Sequence, residues 1–337
     1  MLFPYATSNG ELQPFEVPRV TIGIGVLCDG GETAILASDM RVTYGSSPVS
    51  PNDSAGKQYD FPPYLLAATI AGRASINQSV ISVIADELSR LLAARQKQPD
   101  GVFVSDHVRH IVNFARKREL RKLQDCAMES ELGTNLRNWQ SGKLPNDCKM
   151  DALALRWGLT ILARVKQEFG SQVGLIVVGF ADNGIVFLRA VGAEPIEDTA
   201  APECYVIGSG SVAAMEVLTK RKQHVDTTLA RSLLHVYEAL KAARHSVKTV
   251  GPPAPYMVIR PRNTTLQPGM WVFPAESHLL RSWSKTYRNR ADTKSLDKTL
   301  PNEQATALLT RHLPRQSQVL THETVKLKPL EMRLGIS

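Results

Sequence analysis

The chain lacks what would carry it into a membrane or out of a cell. No stretch of about eighteen consecutive apolar residues occurs, which removes a membrane-spanning helix from the reading. The first twenty residues have neither a basic start nor a continuous apolar block, so they do not read as a secretory signal. Cysteine is scarce. Cys28, Cys126, Cys148 and Cys204 are widely spaced and form no Cys-x-x-Cys pair. They read as reduced thiols of a cytoplasmic protein, not as disulfide or metal partners, and neither metal nor cofactor is expected. Acidic residues are outnumbered, 32 against 40 Lys and Arg, for a net charge of +8. Most of that excess lies near the end, where residues 281–337 hold eleven Lys or Arg against five Asp or Glu. A basic tail can serve an acidic partner or simply stay solvated. No nucleic-acid-binding motif accompanies it, so a nucleic-acid partner is not expected.

What the chain does have is 337 residues, 43% of them hydrophobic, enough for a sizeable core. Its most informative stretch runs from Thr21 to Gly72. Ile22, Ile24 and Val26 alternate with Thr21, Gly23 and Gly25, which is strand period with one apolar face and one nearly bare face. The two glycines on the bare face would leave the Thr21 hydroxyl room for a substrate backbone. A turn at Asp29-Gly30-Gly31 returns the chain through a second apolar run, Ala34 to Ala37, and delivers Asp39 near the level of Thr21. Lys57 follows, and a third run, Tyr64 to Ala71, ends at Gly72.

Beyond Gly72 the period changes. Ile76, Val80, Ile84 and Leu88 predict a helix after Ser75, and a second helix starts near Ser105. Arg109, Arg116, Lys117, Arg118, Arg121 and Lys122 give that second helix a solvated charged face. Residues 125–150 are poorly periodic and read as an inserted loop. Helical spacing resumes at Leu153, followed by strands at 173–180 and 185–191 about an Asp182-Asn183-Gly184 turn. A strand at 204–207, two helices (with Asp226 or Thr227 as the second cap) and a strand at Tyr256–Arg260 complete the pattern. His235 and His245 lack metal-spaced partners and read as surface or core-edge residues. Beyond Asn263 periodicity fades, apart from a short helical pattern at Asn302 to Leu309.

The order Thr21, Asp39, Arg41, Lys57 and Gly72, each at a strand end, resembles the catalytic start of proteasome β-type subunits. Gly208-Ser209-Gly210 after Cys204–Ile207 and the hairpin about Asp182–Gly184 extend the resemblance over residues 21–262. It implies an α+β chain of the N-terminal-nucleophile hydrolase type, a four-layer αββα sandwich with two antiparallel sheets between helix layers. The implied organisation is a leader or propeptide at 1–20, a core at 21–262 and a basic extension at 263–337. The implied partners are a peptide or unfolded protein substrate, further copies in a homo-oligomeric ring, and an ATPase that feeds it.

The chemistry that goes with the resemblance is specific. A threonine at the start of a chain can use its own amine, with a pKa of about 8, as the general base for its hydroxyl. Lys57 would hold that amine neutral, and Asp39 would partner the lysine. The Gly72 N–H would face the oxyanion, and Ser209 would assist the proton. Each residue also has a structural role available. Thr21 can be a strand threonine, Asp39 and Lys57 a structural ion pair, Gly72 a close-packing glycine, and Ser209 a helix cap. Val20, β-branched, precedes Thr21, and a register with Arg19 in place of Thr21 keeps the same strand face. An unprocessed, non-catalytic ring subunit is therefore the alternative reading, and a small-molecule amidase of the same fold is a third.

Overall fold

The computed structural model describes residues 22–40, 43–44, 47–48, 57–61, 64–97, 102–143, 150–198, 203–248, 250–260, 269–273 and 278–287. The leader, Thr21, Arg41 and the helical pattern at Asn302 to Leu309 lie outside the described residues.

Strand β1 (Ile22–Cys28) turns through Asp29–Gly31 into β2 (Thr33–Ser38). A two-residue pair, β3 (Thr43–Tyr44) and β4 (Ser47–Pro48), precedes β5 (Gln58–Phe61) and β6 (Leu66–Gly72). Helices α1 (Ala74–Lys97), α2 (Ser105–Leu132), α3 (Leu136–Gln140) and α4 (Ala152–Gln172) follow. Then come β7 (Val173–Ala181), β8 (Gly184–Val191), β9 (Glu197–Asp198) and β10 (Cys204–Gly208). Helices α5 (Ser211–Lys220) and α6 (Leu229–Ser246), strands β11 (Tyr256–Arg260) and β12 (Gly269–Phe273), and α7 (His278–Tyr287) end the described chain.

The strands form two five-stranded sheets, ordered β10-β1-β2-β11-β12 and β5-β6-β7-β8-β9, with every pairing antiparallel. Alternation along each strand feeds two cores. On β2, Ala34 and Leu36 meet Ala67, Ile176 and Val178 of the other sheet, while Ile35 and Ala37 meet Leu233 and Val236 of α6. On β6, Leu66, Ala68 and Ile70 face the α1 and α2 residues Val80, Ile84, Val108 and Val112. The result is helices, sheet, sheet, helices: the four-layer αββα sandwich.

The bare face of β1 has a different purpose from the one its sequence suggests. A Cβ on Gly23 would lie 2.8 Å from the Thr69 methyl, and one on Gly25 would lie 2.9 Å from an Ile176 methyl. The glycines let the second sheet close onto the first and leave no room there for a substrate backbone.

Three other expectations are corrected. Arg116 of α2 is buried, not on a solvated face, because its guanidinium donates to the carbonyls of Gly192 and Glu194 beyond β8. The stretch from 125 to 143 is not a loop. Helix α2 runs on to Leu132, stops at Gly133 in the left-handed region (φ 65°), and α3 restarts after Asn135, whose side chain caps Asn138 N. Met128, Leu136 and Trp139 pack with Ile161 and Val165 of α4 in a small separate core, so their spacing follows a neighbouring helix and not the sheet. The core also does not stop at residue 262. Strand β12 adds the fifth strand beside β11, and Leu280 of α7 is fully buried against the core of the first sheet. Arg221, the residue that caps the end of α5, and Glu238 of α6 form a two-point ion pair, at 2.6 and 3.0 Å, and the same guanidinium donates to the carbonyl of Tyr287 in α7. A boundary at 262 therefore cuts through packed structure.

His235 of α6 is fully buried, not at the core edge. Its Nδ1 donates to Gln223 Oε1 at 2.9 Å. Burial first, then the charges of Arg231, Arg221 and His224, push its pKa down to about 3. The ring is a neutral structural group.

Candidate active site

The site is built at the open end of the β1–β2 hairpin, away from its turn at Asp29–Gly31. The last paired residues of that hairpin are Gly23 and Ser38, which puts Ile22 and Asp39 next to each other at its open end. The Ile22 N–H donates to Asp39 Oδ1 at 3.1 Å. Lys57 enters from the other sheet, immediately ahead of β5, and its Nζ donates to the same oxygen at 2.7 Å. The second oxygen accepts from Gly251 N at 2.9 Å, in the loop between α6 and β11. The two charged side chains are 6% and 1% exposed. A buried ammonium and carboxylate persist only when paired and hydrogen-bonded. Here one carboxylate receives two peptide N–H groups and the ammonium at once.

Gly72 ends β6, beside β5. The N–H of Ile70, two residues before it, donates to the Lys57 carbonyl at 3.0 Å, so Gly72 stands close along the strand to Lys57. Its φ of +104°, and a would-be Cβ only 2.1 Å from the Gln172 carbonyl oxygen, allow no side chain at this position. Ser209 is exposed and follows Gly208, the residue paired with Ile22 across β10 and β1. It is not the cap of α5, because Gly210 occupies that place. Asp39, Lys57, Gly72 and Ser209 thus gather at one end of the two sheets, around the first described residue of β1. Thr21, joined to Ile22, lies outside the described residues.

Sequence reasoning missed two parts of this region. Gly251 was passed over because a backbone N–H carries no side-chain signature; the following Pro252-Pro253 was the available signal, since it stiffens the loop that presents the amide. Met40 N and Ala254 N bond to Pro252 O and Ser38 O at 2.8 Å each, which holds that loop beside the hairpin end. The second omission is a polar cluster between the sheets just below the ion pair. Gln58 Nε2 donates to Ser38 Oγ at 3.2 Å, and Thr69, paired with Gln58 across β5 and β6, buries its hydroxyl with no hydrogen-bond partner.

Two of the cysteines, Cys28 and Cys204, are poorly placed for thiolate chemistry. Burial raises the Cys28 thiol well above its ordinary pKa, and burial with the nearby Glu203 pushes Cys204 up to about 11. Both are held as thiols. Among the described residues no group of three His, Cys, Asp or Glu stands close enough to hold a metal ion, and no helix is long and apolar enough to cross a membrane.

No protein-family model and no curated protein matches the chain. Among solved structures, a mutant of Anbu from Hyphomicrobium sp. strain MC1 matches with a TM-score of 0.50 and 14% identity, over 80% of this chain and 95% of that one. At that identity the match concerns the fold, which the two chains share.

Proposed function

We propose that the chain is a proteasome-like threonine peptidase subunit, with Thr21 as the amino-terminal nucleophile once the Val20–Thr21 bond has been cut. The observation that carries this reading is the Ile22 N–H on the Asp39 carboxylate that also holds Lys57. Chain connectivity joins Thr21 to that same amide nitrogen through one peptide bond. The fold shared with the Anbu structure is in keeping with this reading.

In this reading the freed Thr21 amine takes the proton from its own hydroxyl, and the Lys57 ammonium favours the neutral amine. The hydroxyl oxygen attacks the substrate carbonyl, the Gly72 N–H donates to the developing oxyanion, and the amine then protonates the leaving nitrogen. Ser209 assists proton movement at the amine. Water releases the acyl group from Thr21. The substrate is a peptide or unfolded protein, the setting is a cytoplasmic homo-oligomeric ring, and an ATPase partner feeds it.

A second reading, a non-catalytic ring subunit of the same fold, is supported by the three-way tie at Asp39, since a carboxylate that pins β1, β5 and the loop after α6 also suits a purely structural role. N-terminal sequencing and intact mass of the assembled protein separate the two. The active reading expects a chain that begins at Thr21, and a Thr21→Ala variant that keeps its leader and does not cleave peptides. A wild-type assembly that retains residues 1–20 leaves Thr21 without a free amine and sinks the peptidase reading.

A further inference from the structure

Helix α4 has an outward face unlike that of any other described helix. Its inward stripe, Gly158, Ile161, Val165 and Phe169, packs normally, with Gly158 so close to Trp139 that a Cβ would lie 2.3 Å from the indole nitrogen. Its outward residues between 152 and 163 hold only one charge, Arg156, and one other polar group, Thr160. The rest are apolar, and four are large: Leu153 is 74% exposed, Leu155 46%, Trp157 49% and Leu159 55%. The contrast is local. Farther along α4, Lys166, Gln167 and Glu168 are exposed in the ordinary way, and the outer face of α2 carries Lys117, Arg118, Arg121 and Lys122. A helix apolar on nearly all sides belongs in an interior, and a cluster of exposed large apolar side chains marks a contact surface.

The chain's own basic end is a poor cover. It leaves the described residues at Tyr287, on the opposite helix layer, and its excess of Lys and Arg would meet Arg156 and Lys166. Charges of both signs border and interrupt the patch: Asp151 ahead of it, Arg156 within it, and Lys166 and Glu168 beyond it, all exposed. A surface with both signs at its rim can satisfy itself when a two-fold axis turns it onto its own copy.

We propose that the amino-terminal half of α4 is a self-association seam, seated on the same face of a second copy of this chain. The contact does not rest on the peptidase reading. It doubles whatever particle the chain forms, a ring or a single subunit.

The test is native mass spectrometry and sedimentation of full-length wild type beside Leu153→Glu and Leu155→Glu, each checked for an unchanged thermal melt. Wild type should contain an even number of copies. Each variant should weaken the pairing at least about tenfold and give a particle of half the mass. A melt-competent variant with wild-type mass, or a wild type that is monomeric or odd-numbered, overturns the seam. Hydroxyl-radical labelling of Trp157 in unmodified wild type provides a check free of mutation. Labelling must fall as protein concentration rises. Compared above and below the concentration at which sedimentation shows the particle halving, equal protection of Trp157 shows that the chain's own residues cover it, and equal labelling shows that nothing does; either result overturns the seam. If the variants halve the mass to a ring, the ring stands with the seam; if they halve it to a monomer, the ring fails and the seam survives.

Discussion

The ion pair of Lys57 with Asp39 is where single residues matter most. Lys57→Met leaves a buried carboxylate with its two peptide donors and no counter-charge, which should cost about 3–5 kcal/mol of stability. Adding Asp39→Asn removes the uncompensated charge, so the double variant should lose clearly less than the sum of the singles. Urea denaturation of all four forms measures this coupling, and additive losses would show that the pair is not coupled. Peptide cleavage should be absent from each variant if Thr21 is the nucleophile. Thr69 offers the opposite sign. Its hydroxyl is buried without a partner between the sheets, so Thr69→Val, which keeps the shape, should raise stability by about 1 kcal/mol. A drop on urea denaturation would mean that the hydroxyl is satisfied after all, for instance by an ordered water. Much of this was legible from side chains: Asp39 and Lys57 stand out in sequence as charged residues at strand ends. Gly251 did not, because its contribution is a backbone N–H, and Thr69 did not, because a threonine inside a strand looks the same whether or not its hydroxyl is paired.

Helix α6 carries the clearest pH dependence among the elements. With a folded pKa near 3 against an ordinary 6.5, His235 binds a proton in the unfolded chain but not in the native one between those values. Its contribution is therefore whole above the ordinary value and declines as pH falls toward the folded one, by about 1.4 kcal/mol per pH unit. His235→Gln keeps a donor for Gln223 but cannot titrate. The stability advantage of wild type over this variant should shrink between about pH 7 and about pH 5. A constant difference would show that His235 is not held neutral. The elements themselves differ in how far sequence revealed them. Strands β1, β2, β7, β8 and β11 and helices α1 and α6 follow clean periods, because each faces a sheet or a long helix of the main core. The end of α2 and all of α3 do not, because they face only α4. Strand β12 and α7 escaped notice for a related reason: each is short, and each is secured by contacts to α5, α6 and β11 that no local pattern records.

At the scale of the molecule, the C-terminal boundary can be placed by deletion. A chain ending at Arg262 lacks β12 and α7, leaves β11 as an edge strand and exposes the face that Leu280 covers, so it should aggregate or lose its cooperative melt. A chain ending at Tyr287 should melt as the full chain does. If the shorter truncation melts normally, β12 and α7 are attachments after all. The whole chain also bears on when the site exists. Asp39 meets Ile22 within one hairpin, but Gly251 lies 212 residues farther on. During synthesis the carboxylate is thus without its last donor until nearly the entire sandwich has emerged and closed. Any cleavage ahead of Thr21 that depends on this carboxylate would be deferred to the end of folding. Loss of the leader would then serve as a certificate of a nearly finished subunit, issued by one of the last loops to arrive.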